Sequence, residues 1–291
     1  MLRKEAVAAE EPAWWLLGPY DTAIAVPSWP APVTVRAGRF SLGALNALRI
    51  FVTDTPTIIT VGSFCEFGQS SLVIVGGNHR NESLLNFTFG DYGLKFFSAL
   101  SDTDKPIVLT KNDGSPTYIG DNVMVSDRAI IIGGNSIGYG SVIGAGAVVA
   151  SDCKPLGIYA GVPARLIKYR YADRRMRELY DAIRLPDVRA HHLFELPRLL
   201  QKLERDEITL ADYLGGITFL KRRPIVHLSA ALEMQTSRLK PTSVVGYALD
   251  DELITDRAIL AQLNRYFLQI GNHPYGEVEW YPDIFAALGL V

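Results

Sequence analysis

Cysteine is nearly absent from this chain of 291 residues: there are two, Cys65 and Cys153. Two thiols cannot build a disulfide framework or a four-ligand zinc site. Long apolar runs are also missing. Without about 18 consecutive apolar residues, no segment is expected to span a membrane as a helix. Neither sign of charge is in excess: 29 basic residues stand against 31 acidic ones, a net charge of −2. A broad electrostatic footprint for nucleic acid is therefore not expected. The opening residues, MLRKEAVAAEEP, start basic, have no apolar stretch and soon carry three glutamates. That makes a poor secretory signal. Without secretion, the sequons at Asn81 and Asn86 are coincidental. A reducing cytoplasm is the expected location. Hydrophobic residues at 48% and charged residues at 21% are ordinary for a folded globular chain.

Three regions differ in character. Residues 1–54 are irregular and rich in proline and tryptophan, and are expected to form an arm with short strands. Residues 55–168 are rich in glycine, valine and isoleucine. Residues 169–291 turn to arginine, leucine and glutamate at helical spacing, and are expected to form a mainly helical extension.

The middle region repeats. Steps of six from Ile119 land on Val125, Ile131, Ile137, Ile143 and Val149. Four residues after each comes a small or medium side chain: Val123, Ala129, Asn135, Ser141, Ala147 and Cys153. An earlier block, Val61, Phe67 and Val73, keeps the register, with Cys65, Ser71 and Gly77 in the small slot. Six is a multiple of the strand period and not of the helix period. The reading is a triangular solenoid. Each hexapeptide supplies one flat side and one corner, the aliphatic points inward, and three hexapeptides complete a coil. Coils stack through parallel ladders about 4.8 Å apart. Glycine follows the aliphatic at Gly62, Gly68, Gly120, Gly138 and Gly144, where it is expected to permit unusual backbone angles. Both cysteines occupy small slots, so they are expected to be buried spacers. The glycines at 138, 140, 144 and 146 do not form GxGxxG and are explained by the repeat.

Residues 79–116 interrupt the repeat with His79, Arg80, Phe87, Phe89, Phe96, Asp102 and Asp104. A long loop inside a compact repeat is usually functional. Only one of the five histidines, His79, falls in the repeat region.

The stretch Ile59-Thr-Val-Gly-Ser-Phe-Cys-Glu-Phe-Gly-Gln, running on to Val75-Gly-Gly-Asn-His-Arg80, resembles the active-site segment of the xenobiotic acetyltransferases. These are hexapeptide-repeat acyltransferases that include chloramphenicol and streptogramin acetyltransferases and many sugar O-acetyltransferases. Ile119-Gly-Asp-Asn-Val resembles the start of their second repeat block, and Gly161-Val-Pro-Ala-Arg-Leu-Ile-Lys-Tyr-Arg170 their closing motif. The resemblance covers roughly residues 35–205. It implies a mainly β chain folded as a left-handed parallel β-helix, an exception to the usual crossover hand. It also implies a homotrimer with active sites between subunits and acetyl-CoA as acyl donor, with no metal. Matched residue by residue, His79 is the catalytic base. Ser126 and Asp127 stand beside the pantetheine arm, Ala145 and Ala150 lie one coil on, and Arg165 and Lys168 meet phosphates. The family's usual tryptophan is replaced here by Met124.

An O-acetyltransferase acting on a hydroxyl of a sugar, glycan or hydroxylated natural product is the function implied. N-acetylation of an amino sugar and a catalytically degenerate trimeric scaffold are the alternatives. A γ-class carbonic anhydrase shares the solenoid but needs three histidine zinc ligands, which one repeat-region histidine excludes. In the extension, helices are expected over Tyr171–Leu185, His192–Leu214 and Asp251–Ile270, with Pro197 breaking or beginning one. An aromatic anchor is expected near Trp280-Tyr281. The pair His191-His192 suits a helix surface better than a metal site.

Overall fold

The computed structural model describes residues 21–27, 31–51, 55–77, 84, 115–189, 192–221, 223–233, 237–249 and 252–261. Its centre is a three-walled prism of parallel strands. The first wall stacks Val33–Ala37, Thr57–Val61, Thr117–Ile119 and Ser136–Ile137. The second stacks Glu66–Phe67, Met124–Val125, Val142–Ile143 and Gly157–Ala160. The third stacks Leu48–Ile50, Leu72–Val75, Ile130–Ile132 and Val148–Val149. Ile119 pairs with Ile137, Val125 with Ile143 and Ile131 with Val149, each pair one coil of three hexapeptides apart.

The expected register holds. Ile119, Val125, Ile131, Ile137, Ile143 and Val149 are all buried, and so are the slot residues Val123, Ala129, Ser141, Ala147 and Cys153. Asn135 is the exception; it is half-buried and its Nδ2 donates to Ile132 O at 2.8 Å. Each buried aliphatic contributes about 1.5–3 kcal/mol, so stability is spread along the prism.

Left-handed residues make the corners. Between the first and second walls stand Phe40, Phe64, Asn122, Gly140 and Leu156, all at positive φ. Side-chain carboxylates tie corners of successive coils together. Asp121 accepts Ser63 N–H at 2.7 Å, Asp127 accepts Ser70 N–H at 2.9 Å and Asp152 accepts Ser136 N–H at 2.7 Å. The glycines after the aliphatics have a different reason from the one expected. A Cβ on Gly62, Gly120 or Gly138 would sit 2.5, 2.5 or 2.3 Å from a backbone nitrogen of the next coil, so close approach and not φ demands glycine.

The prism also begins earlier than residue 55. Val33–Ala37 and Leu48–Ile50 form a first coil, bridged at Leu42 to Glu66. Extra residues, including a helical turn at Ala44–Ala47, stretch its spacing to Val61 and Val75 and hide the period.

Where a mainly helical extension is expected, the described residues hold both helices and strands. Helices α1 (Arg174–Ala182), α2 (Leu196–Glu204) and α3 (Leu210–Gly216) are present, and Pro197 sits in the first turn of α2, beginning it. They share a small core of their own around Val188, Leu196, Leu203 and Tyr213. Tyr180 of α1 stacks on Tyr139 at 5.5 Å, and buried Arg39 donates through Nε to Pro186 O at 3.1 Å. The helices therefore lie along the corner between the first and second walls.

Beyond them the chain becomes β. Ile225–Glu233 pairs parallel with Asp21–Val26, and Arg238–Leu249 turns back beside it. Arg238 pairs with Arg49 of the third wall, while Asp21–Val26 pairs with Val33–Ala37 of the first. The hairpin and Asp21–Val26 thus span from one wall to another and close the open start of the prism. Val226, Leu228, Ala230 and Tyr247 join the prism's core. An open solenoid end would expose both apolar core and strand edges, which is the physical reason for a β cover. Glu252–Ile254 is a strand paired with Arg238–Leu249, where a helix was expected from Asp251. Helix appears only over residues 257–261, and the rest of that expected element, with the aromatic anchor, lies outside the described residues. No helix among the described residues is long and apolar enough to cross a membrane.

Candidate active site

The corner between the second and third walls carries most of the expected coenzyme residues. Ser126 and Asp127 turn this corner on one coil, and Ala145 turns it one coil later. The coils are locked there by Ser126 N–H on Ile143 O at 2.9 Å and Gly146 N–H on Asp127 O at 3.1 Å. The turn at residues 161–163 continues the corner: Val148 N–H donates to Gly161 O at 3.0 Å and Ala164 N–H to Val148 O at 2.8 Å. Arg165 opens the strand that leaves this turn. Ser126, Asp127, Ala145 and Arg165 are thus arranged in order along one edge of the prism, opposite the helices.

Two expected residues fall elsewhere. Ala150 is exposed at the corner between the third and first walls, so it does not share this edge. Lys168 pairs with Ile158 and ends an outward row on the second wall: Glu66, Met124, Val142, Ile158, Lys168. His79, with the inserted loop it opens, lies outside the described residues.

Asp127 has a structural task besides any ligand. It accepts the Ser70 N–H and lies 3.7 Å from Arg128 Nε. Arg128, whose side chain is 83% exposed on this corner, is a cation that motif matching overlooked. Its spacing from the corner residue Gly146, one coil of three hexapeptides, was the available signal.

Met124 stands outward on the second wall and is 46% exposed. Its side chain therefore presents a flexible thioether where the resembled family has an indole. The cysteines offer no nucleophile. Burial pushes Cys65 up to about 12 and Cys153 up to about 11, so both stay thiols at neutral pH. Cys65 Sγ donates to Gly120 O at 3.1 Å, a packed spacer as expected. His192 Nε2 accepts the Thr218 N–H at 2.9 Å, a local backbone contact. A cavity of about 150 Å³ lies on the far side, between the helices and the prism, lined by Asn122, Arg170, Met176, Leu179, Tyr180 and Leu200.

Comparison with known proteins points the same way as the repeat. The chain is 34% identical over 117 residues to the chloramphenicol acetyltransferase of Agrobacterium fabrum, covering 40% of this chain and 53% of that one. It is 28% identical over 122 residues to a probable macrolide acetyltransferase of Lysinibacillus sphaericus, covering 42% of this chain and 65% of that one. The chain spans little more than half the length of the first of these relatives. Among solved structures, a galactoside acetyltransferase in complex with coenzyme A aligns over 53% of this chain and 66% of that one, at 23% identity and a TM-score of 0.29. No family model matches the chain. The resemblance to xenobiotic acetyltransferases is therefore borne out in sequence over a part of the chain: chloramphenicol and macrolide acetyltransferases are its homologues.

Proposed function

We propose that the chain is an acetyl-CoA-dependent O-acetyltransferase acting on a hydroxyl of a sugar, glycan or hydroxylated natural product. The observation that carries this reading is the exposed corner bearing Ser126, Asp127, Ala145 and Arg165, in a chain homologous to acetyltransferases. In the proposal the coils wind left-handedly, three chains assemble side by side, and the pantetheine arm lies along that corner. Arg165 and Lys168 meet the coenzyme's phosphates through charge-assisted hydrogen bonds. The enzyme works in the cytoplasm.

His79 is the general base. Its neutral imidazole takes the acceptor's hydroxyl proton as the oxygen attacks the thioester carbonyl carbon. The carbonyl oxygen becomes an oxyanion, held by backbone N–H groups. Collapse of the tetrahedral intermediate breaks the carbon–sulfur bond, and the departing thiolate receives the proton from the imidazolium. A proton-transfer group of this kind typically contributes 10²–10⁴-fold. Replacing His79 with Ala is expected to lower kcat by at least about 10²-fold with acetyl-CoA affinity unchanged. Thiol release measured with panels of hydroxylated and amino-sugar acceptors checks this. Full turnover by the variant on a true acceptor would remove His79 from the mechanism.

A further inference from the structure

Charge is distributed very unevenly. The whole chain is near neutral, at −2. Yet residues 154–177, which close the C-terminal end of the prism, hold Lys154, Arg165, Lys168, Arg170, Arg174, Arg175 and Arg177 against the single carboxylate Asp173. The flanking acids are engaged: Asp152 accepts the Ser136 N–H, and Glu178 pairs with Arg174. Arg175 pairs with Asp206, and Arg170 donates to Gly140 O and Tyr171 Oη. Lys154, Arg165, Lys168 and Arg177 are exposed and have no carboxylate in ion-pair range among the described residues.

Large apolar side chains stand among these cations. Val162 is 72% exposed, Ile167 62%, Leu166 39% and Tyr169 36%. Every residue of the strand Arg165–Tyr169 is exposed. Its one pairing neighbour among the described residues is Gly157–Ala160, and a register shift there leaves Ile167 unpaired. The guanidinium of Arg177 lies 5.7 Å from the centre of the Tyr169 ring. The opposite end of the prism is covered by its β hairpin, so this face is the contrast within one molecule.

We propose that the C-terminal end of the prism docks on an anionic lipid surface. The aliphatic tips of Val162 and Ile167 enter the headgroup layer, and Tyr169 sits at the level where amphipathic rings collect. Lys154 and Arg177 draw the protein to negatively charged lipids, an attraction that fades within a Debye length. The basic and apolar residues are interspersed, as interfacial segments require, and charge complementarity selects the anionic bilayer as the occupant. The proposal does not depend on the acetyl-transfer reading. It places the chain beside membrane-borne acceptors.

Cosedimentation with large vesicles tests it. The full chain is expected to bind vesicles of one part phosphatidylserine to two parts phosphatidylcholine, to bind pure phosphatidylcholine weakly, and to be released by high salt. Two variants, Ile167→Ser with Tyr169→Ser, and Lys154→Gln with Arg177→Gln, are each expected to weaken binding at least about tenfold. Unchanged acetyl-CoA calorimetry in both would show that the loss is confined to the lipid face. Binding that persists with saturating coenzyme A supports the proposal. Displacement by coenzyme A would assign these cations to nucleotide phosphates and overturn it. Equal binding to both vesicle types, parent-like binding by both variants, or retention on an acidic polypeptide without vesicle binding would also overturn it.

Discussion

The prism and the segment that returns over it reach stability by different means. In the prism every coil repeats the same solution, with an inward aliphatic, a small slot and a corner, and each coil supports the next. Ile131 and Ile143 are both fully buried in equivalent places one wall apart. The returning segment has no repeat. Its three helices bury one shared cluster around Tyr213, and its hairpin depends on Asp21–Val26, some two hundred residues earlier. The lesson is that a periodic scaffold leaves its ends unsolved, and the end needs residues that belong to no period.

The sharpest way to break this contrast is Ile143→Asp. A lone carboxylate at a fully buried position has no partner to offset desolvation. The variant is expected to lose its cooperative melting transition and to be recovered insoluble. A soluble variant with normal melting would show that the coil tolerates charge and that the register is wrong. Removing the residues after Leu220 is expected to have the next largest effect. The core residues Ile24, Val35 and Leu48 at the start of the prism would lose their cover, so the truncated chain should bind a hydrophobic dye and aggregate. A monodisperse, dye-negative product would make the hairpin dispensable.

Gly120→Ala probes spacing between coils. Its Cβ would sit 2.5 Å from Tyr139 N, so a loss of about 1–3 kcal/mol is expected in denaturant unfolding. A substitution that leaves stability unchanged would remove close approach as the reason for glycine. Smaller still is Tyr213→Phe in the helical cluster, which deletes the hydrogen bond from Tyr213 Oη to Ile183 O at 3.0 Å. About 1 kcal/mol is the expected cost.

High pH distinguishes the two regions less. Burial pushes Cys65 in the prism and Tyr213 and Tyr180 in the helices up to about 12, from ordinary values of 9.0 and 10.0. The folded state holds these protons more tightly than the unfolded chain does. Their contribution is therefore complete below about pH 9 and is lost as pH rises toward about 12.

Much of the prism was legible because residues 119–154 carry an unbroken period of six. The first coil was not, since the extra residues around Ala44–Ala47 shift Ala37 and Ile50 away from that spacing. The hairpin strand Ile225–Glu233 does alternate, burying Val226, Leu228 and Ala230. Its partner lies at the other end of the chain, and no local signal announces such a pairing. At the site, matching motifs brought Ser126, Asp127, Ala145 and Arg165 to one edge. It did not bring Ala150, because a position one hexapeptide removed turns a different corner. The task of Asp127 in holding Ser70 was invisible, since coil-to-coil hydrogen bonds appear only once the coils are stacked.

Calorimetric titration with acetyl-CoA tests the central proposal most directly, because it needs no acceptor. The account predicts saturable binding with one coenzyme per chain, weakened in Arg165→Ala and Ser126→Trp and unchanged in Ala150→Ser. An absence of binding heat at any temperature, with the prism intact by circular dichroism, would contradict it and leave a scaffold.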